Sequence, residues 1–277
     1  MIHGLGSPLK WHGGKHYLAQ RIVALMPPHL HYVEPYFGGG SVLLAKDPEG
    51  VSEVVNDIDA WLMKFWEVMQ RPEYFEQFRR RMAATPFSEH EFNFAKTHMD
   101  DCCDARWNDP VTAASWFFIC CRQSLAGRMD SFAPLSKTRT RRGMNEQASA
   151  WLSAVEGLPE VHARLQRVVI LDARPALEVI EQQDGKDTLF YLDPPYLDET
   201  RASPNIYAHE MTRDEHNRLL KALEILKGKF LLSGYRNELY DLFSRELGWK
   251  RQDFDLPNNA AAGGSKRRMT ECVWSNF

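Results

Sequence analysis

The 277-residue sequence contains no run of 18 apolar residues, so no segment reads as a transmembrane helix. Met1 to Lys15 lacks the hydrophobic centre of a signal peptide. Cysteine is scarce: Cys102, Cys103, Cys120, Cys121 and Cys272 make an odd set in two adjacent pairs and a singleton, which is not a disulfide framework. A reducing cytoplasm is therefore expected. Cys-x-x-Cys spacing is absent, and no metal site is expected. There is also no surplus of positive charge. The net charge is −3, so any nucleic-acid surface must come from local clusters rather than from the total. Neither an internal repeat nor a low-complexity tract is present, and Ala260 to Gly264 is a small-residue loop.

What is present suits one large α/β domain with an inserted smaller lobe, as a monomer or weak dimer with no membrane partner. Hydrophobic residues make up 44% and charged residues 26%, an ordinary balance for a globular chain. Core packing can absorb most of the 15 Phe, 9 Tyr and 8 Trp. Local basic clusters do exist. Lys137, Arg139, Arg141 and Arg142 put four cations into six residues, and Arg79-Arg80-Arg81 and Lys266-Arg267-Arg268 form two triplets. Taken singly, each is as readily a solvated face as a ligand site.

Periodicity divides the chain into two flanking α/β stretches and a different middle. His31 to Pro35 reads as a short strand, Ser41 to Lys46 as a helical run, Val54 to Asp57 as a strand and Ala60 to Gln70 as a helix. From about Arg71 to Leu165 helical patterns dominate, including Glu89 to Met99 and Val111 to Arg122, with no convincing strand among them. Gly127 to Gly143 is a polar, turn-like stretch holding the four-cation cluster. Apolar strands return at Val168 to Leu171, Thr188 to Leu192 and Lys229 to Ser233. Helices are expected at Ala173 to Gln183, Met211 to Lys227 and Asn237 to Leu247, and Met269 to Trp274 reads as a last edge strand. Near-continuous apolar strands alternating with helices imply a doubly wound, mostly parallel sheet covered on both faces.

Two places carry chemistry. In Glu34-Pro-Tyr-Phe-Gly-Gly-Gly-Ser41 a strand runs into glycines and then a helix, which allows close approach of backbone to a ligand. Asp57, ending the next strand, places a carboxylate where a ribose diol would lie. The turn departs from Gly-x-Gly-x-x-Gly, having Leu43 at the third position. An adenosyl cofactor with a sulfonium and ammonium, a dinucleotide, and a purely structural turn all remain open here. Glu34 is either a counter-charge or a capping or surface residue.

The second place is Asp193-Pro194-Pro195-Tyr196, directly after the apolar run Leu189 to Leu192. Two prolines end the strand ladder and make a rigid turn. An exocyclic amino group conjugated with a base ring is a poor nucleophile. Acceptors holding its hydrogens, here the Asp193 carboxylate and the Pro194 carbonyl, free its lone pair for attack on a methyl sulfonium. Tyr196 would stack on the base, which must leave the duplex to arrive there. The bland reading is a turn that merely ends a strand.

With these motifs in order, the chain resembles the Dam-like, D12-class family of DNA adenine-N6 methyltransferases, whose target-recognition lobe precedes Asp-Pro-Pro-Tyr. The likeness starts at Pro8-Leu-Lys-Trp-His-Gly-Gly-Lys15 and continues through Phe37-Gly-Gly-Gly40, Asn56-Asp-Ile-Asp59 (Asp59 in place of the family's Asn) and Asp193 to Tyr196. It extends to Tyr207, Met211-Thr-x-x-Glu-His216 and Glu271-Cys-Val-Trp-Ser-Asn276. The resemblance implies the seven-stranded methyltransferase sheet, S-adenosyl-L-methionine as cofactor and double-stranded DNA as partner. It also implies a cofactor-binding catalytic domain over residues 1–70 and 166–277 and a helical target-recognition domain over 71–165. Cofactor contacts fall on Trp11, Gly14, Lys15, Glu34, Phe37, Gly38, Gly40, Ser41, Asp57, Asp172 and Asp193. Pro194, Pro195 and Tyr196 complete the catalytic motif with Asp193. Arg128, Lys137, Arg139, Arg141 and Arg142 are expected to face DNA. Leu171-Asp172-Ala173 replaces the family's Gly-Asp-Phe, and Ser233-Gly-Tyr235 its Ser-Asn-His. Cytosine N4 as the methyl acceptor, a catalytically silent DNA-binding module and a dehydrogenase are the rival readings; Asp rather than Ser or Asn at 193 favours adenine.

Overall fold

The computed structural model describes residues 4–11, 13–102, 109–197, 209–257 and 268–277. Cys103, Tyr207, Lys266, Arg267 and the Ala260 to Gly264 loop lie outside the described residues. In chain order the elements are α1 (Ala19–Val23), β1 (His31–Glu34), α2 (Ser41–Ala45), β2 (Ser52–Val55), α3 (Ala60–Gln70), α4 (Pro72–Ala84), α5 (Glu89–Asp101) and α6 (Pro110–Gln123). There follow β3 (Thr140–Arg141), β4 (Met144–Asn145), α7 (Glu146–Glu156), α8 (Leu158–Leu165), β5 (Val168–Ile170), α9 (Ala176–Gln183) and β6 (Thr188–Leu192). The chain ends with α10 (Arg213–Glu224), β7 (Lys229–Tyr235), α11 (Glu238–Leu247), β8 (Lys250–Pro257) and β9 (Arg268–Ser275). They divide between two compact units, residues 1–25, 37–49 and 56–173 in one and 26–36, 50–55 and 174–277 in the other.

Seven strands form one sheet in the order β5-β2-β1-β6-β7-β9-β8. β1 runs parallel to both β2 and β6, and β6 parallel to β7, whereas β9 is antiparallel to β7 and β8. This is the expected mostly parallel, doubly wound α/β architecture with a helical insertion. β6 is buried at every position, as its unbroken Thr-Leu-Phe-Tyr-Leu run demands of a strand covered on both faces.

The C-terminal end corrects one expectation. β9 is not an edge strand: it lies between β7 and β8, with Cys272, Val273 and Trp274 buried. The edge is β8, whose Lys-Arg-Gln-Asp-Phe-Asp start conceals a strand behind charge. Arg251 pairs with Asp253 at 2.8 Å and Asp241 at 2.8 Å, and Phe254 is buried. Charged residues along an edge block pairing with a second chain.

The helical region packs around α6, buried on nearly all sides between Val111 and Cys121. Asp109 caps it by accepting from the Thr112 backbone N–H at 2.9 Å, and Pro110 occupies its first turn. Phe118 stacks parallel to Phe65 of α3 at 5.6 Å, and Phe78 closes edge-on against both. Fully burying a ring of this size is worth about 1.5–3 kcal/mol, so the aromatic surplus serves the core. Burial pushes the thiols of Cys120 and Cys121 up to about 12. A second correction falls in this region. Thr140-Arg141 and Met144-Asn145 pair as a small antiparallel hairpin where no strand was expected. Its two turn residues, Arg142 (φ 56) and Gly143 (φ 74), are both left-handed, the signature of a tight hairpin turn.

Candidate active site

The glycine turn is shaped by its own unit. Gly38 N donates to Asp57 Oδ2 at 2.9 Å, and Phe37 N donates to the Asn56 carbonyl at 2.9 Å. The Trp66 indole N–H donates to the Gly38 carbonyl at 3.0 Å, and the Ser7 hydroxyl to that of Gly39 at 2.6 Å. Gly38 (φ +49) and Gly40 (φ +68) are left-handed, and Ser41 then opens α2. The first two glycines also face the protein's own Trp11. A Cβ on Gly38 would meet Trp11 Nε1 at 2.6 Å, and one on Gly39 would meet Trp11 Cβ at 2.7 Å. The glycines make room for the protein's own indole. Phe37 is buried against Trp66, with centroids 5.0 Å apart.

Trp11 begins a tight turn in which Gly14 N donates to its carbonyl at 3.1 Å. Lys15 is buried and its ammonium donates to the Gly13 carbonyl at 3.0 Å. Asp57, half-buried, also accepts from Asp59 N at 3.1 Å. Asp59 is accounted for locally: its carboxylate caps α3 by accepting from Trp61 N and Leu62 N. Asp172 is exposed beyond β5, just before Ala173, whose φ of 44 turns the chain.

In the other unit, the parallel register His31↔Thr188 to Val33↔Phe190 sets the C-terminal ends of β1 and β6 side by side. Glu34 is buried rather than on the surface or at a helix cap, and accepts from the Tyr32 hydroxyl at 2.7 Å. Burial, then Glu34, raise the Tyr32 phenol well above its ordinary value, so it remains a donor. After β6 comes the Asp193 turn, with Asp193 half-buried and Pro194 buried. Tyr196 is only 6% exposed, and its hydroxyl lies 3.2 Å from Asp193 Oδ1 and in closer contact with Glu271 Oε1. Tyr235, ending β7, packs edge-on against the Tyr196 ring at 4.7 Å. Tyr196 therefore does not present the open stacking face expected of it. Burial first, then the Asp193 and Glu271 charges, hold its phenol protonated.

Four further motif residues have structural explanations. Thr212 and Glu215 form a reciprocal capping box at the start of α10. His216 is buried and its Nδ1 meets the Tyr240 hydroxyl at 2.9 Å. Asn276 staples the end of β9 to the start of β7, accepting from Phe230 N and donating to the Gly228 carbonyl, each at 3.0 Å. Glu271 has no role in the motif as read from sequence; its signal was a carboxylate directly before the apolar run Cys272-Val273-Trp274.

The basic candidates separate on inspection. Arg128 is exposed on a closed loop, where Leu125 N donates to the Ser131 carbonyl and Met129 N to the Ser124 hydroxyl. Gly127 lets this loop rest on the Lys10 carbonyl, which a Cβ would meet at 1.7 Å. Lys137 and Arg141 are exposed and make no side-chain ion pair among the described residues. Arg139 reaches only to 3.9 Å from Glu146. Arg142 is committed elsewhere, its guanidinium forked onto both oxygens of Glu156 at 2.9 Å. Arg79 and Arg80 pair with Glu76 and Arg81 reaches Thr112, so that triplet is a solvated helix face.

A family model described as D12 class N6 adenine-specific DNA methyltransferase matches residues 11–253. The chain is also 24% identical over 283 residues to Type II methyltransferase M1.LlaDCHI of Lactococcus lactis subsp. cremoris, an alignment covering 97% of this chain and 94% of that protein.

Proposed function

The chain belongs to the D12 class of N6 adenine-specific DNA methyltransferases, and from that premise we propose how its own residues carry out the reaction. Membership makes it an S-adenosylmethionine-dependent enzyme acting on adenine N6 in DNA. When bound, S-adenosylmethionine supplies an electrophilic methyl group: the N6 lone pair forms the new N–C bond, the S–C pair stays on sulfur, and one N6 proton is released.

Asp193 and the Pro194 carbonyl accept the two N6 hydrogens and turn the nitrogen lone pair toward the methyl carbon. The observation that carries this reading is Asp193 standing half-buried at the end of a fully buried central strand, in a turn that two prolines make rigid. The deep burial of Tyr196 favours a role for its hydroxyl in holding the turn over an open stacking face. The donor set suits a cationic ligand carrying a diol. Asp57 is the carboxylate for the diol, Glu34 supplies buried negative charge, and Asp172 takes the ligand's amino group. Trp11, Gly14, Lys15, Phe37, Gly38, Gly40 and Ser41 frame the rest.

Residues 71–165 serve as the target-recognition domain and 1–70 with 166–277 as the catalytic domain. The substrate is duplex DNA with the adenine swung out of the stack, gripped through Arg128, Lys137, Arg139 and Arg141, with a smaller share from Arg142 because Glu156 holds its guanidinium. The likeness to a Type II methyltransferase supports an enzyme of that kind. Among the described residues no helix is long and apolar enough to cross a membrane. A monomer or weak dimer in the cytoplasm is the accompanying reading, and the unbridged Cys120, Cys121 and Cys272 favour a reducing compartment.

Asp193→Ala tests the catalytic assignment. Duplex binding, followed by anisotropy, should change less than threefold, while methyl transfer from labelled cofactor falls about 10²-fold or more. Turnover within tenfold of the parent would remove Asp193 from the chemistry.

A further inference from the structure

Glu271 sits in β9 opposite Tyr235 of β7 and is 4% exposed. A carboxylate seldom lies so deep without a specific partner. It accepts from the Tyr196 hydroxyl, the last side chain of the Asp193 turn, reached across 75 residues of sequence. The same hydroxyl lies 3.2 Å from Asp193 Oδ1. A phenol has one proton to donate, and here two carboxylates flank it. Glu271 is the more deeply buried of the two, where the attraction of a carboxylate for a donor is less screened, and it takes the proton.

The consequence concerns Asp193. A charge-assisted bond from a phenol occupies a lone pair and draws off electron density. Both effects would weaken Asp193 as an acceptor for the adenine amino group. We propose that Glu271 is a positioning residue for methyl transfer: it holds the Tyr196 hydroxyl proton, spares Asp193 that bond and so keeps it a stronger acceptor for the substrate amino group. Tyr235, edge-on to the Tyr196 ring at 4.7 Å, fixes the phenol's direction between the two carboxylates. The inference rests on the catalytic role assigned to Asp193 above.

Glu271→Gln is nearly isosteric but removes the charge that attracts the proton, which then passes to Asp193. Single-turnover methylation of duplex DNA at saturating S-adenosylmethionine should slow at least tenfold. Affinities for duplex and for S-adenosylhomocysteine should stay within twofold of the parent. Tyr196→Phe removes the contested proton, so alone it should slow the step less than tenfold. Added to Glu271→Gln, it should restore the rate to that of Tyr196→Phe, a recovery that no merely structural role for Glu271 produces. A Glu271→Gln rate within twofold of the parent overturns the proposal, as does a double variant as slow as or slower than Glu271→Gln. If Glu271→Gln does not fold, Tyr196→Phe decides alone, and a loss beyond tenfold overturns it. Asp193→Ala in the same series separates the two readings. Retained turnover there refutes the catalytic assignment itself, whereas its collapse beside an unaffected Glu271→Gln refutes only the role of Glu271.

Discussion

Lys137 and Arg141 are exposed cations without ion-pair partners among the described residues, while Arg142, next in the chain, is forked onto Glu156. That difference predicts unequal shares in DNA binding. Each phosphate neutralised by a cation contributes about 0.9 to the slope of log affinity against log salt. Replacing Lys137 and Arg141 with Ala together should therefore reduce the slope by about 1.8. Between 50 and 200 mM salt, a fourfold range, 4 raised to 1.8 is about 12, so the parent's advantage over the double variant shrinks roughly twelvefold across that interval. Arg142→Ala removes a cation already balanced by its carboxylate partner and should alter the slope by less than half as much. Arg142 is raised and Glu156 lowered from their ordinary values by this shared hydrogen bonding, consistent with a formed pair. The measurement is a set of anisotropy titrations of a labelled duplex, with S-adenosylhomocysteine present, at five salt concentrations. A double-variant slope within about 0.5 of the parent's would take both side chains off the phosphate backbone and refute the reasoning.

Gly127→Ala should cost roughly 2–5 kcal/mol, combining left-handed strain with a Cβ 1.7 Å from the Lys10 carbonyl. Gly143→Ala, with similar φ and open space around it, should cost only about 1–2 kcal/mol, and equal losses in urea unfolding would discount the Lys10 contact. Burial, then the neighbouring Arg122, push the Lys10 ammonium down to about 8 from its ordinary 10.5. A depressed folded value means that the stability this group contributes is complete above 10.5 and lost as pH falls through 8. Lys10→Met should accordingly be favoured over the parent more at pH 7 than at pH 10, and a pH-independent difference in unfolding free energy would show that Lys10 keeps its ordinary value.

How much of this was readable from the chain depends on whether local pattern and tertiary role coincide. α3 begins and ends where its apolar spacing says, since the same residues that set the period fill the core and Asp59 caps its start. β6 was legible as an apolar run because it is buried on both faces. β8 was not, because an edge strand is selected for charge and its partner β9 supplies the burial. The hairpin at Thr140 to Asn145 was hidden by its brevity, although Arg-Gly at a left-handed turn was a usable sign. The order of motifs singled out Asp193 and Asp57, but it did not show the contacts that come from farther along the chain, Gly38 on Asp57 and Glu271 on Tyr196. Nothing local to Tyr196 announces Glu271, and nothing local to Gly38 announces Trp11.

The Trp11 contact changes what the glycine turn means physically. Were the turn open to ligand alone, its left-handed glycines would be free to move until the cofactor arrived, and ordering them would be charged against binding. Instead Asp57, Trp66 and Ser7 each hold one of its peptide groups, and the Trp11 indole fills the side that Cβ atoms would occupy. A loop held in this way loses little conformational entropy on meeting a ligand. At 38 and 39 a Cβ would meet the Trp11 side chain, so packing within the protein favours glycine there. The same logic governs the Asp193 turn, where two prolines restrict the backbone and Glu271, through Tyr196, restricts the one aromatic side chain at its end. In both segments the restraint comes from the protein's own contacts.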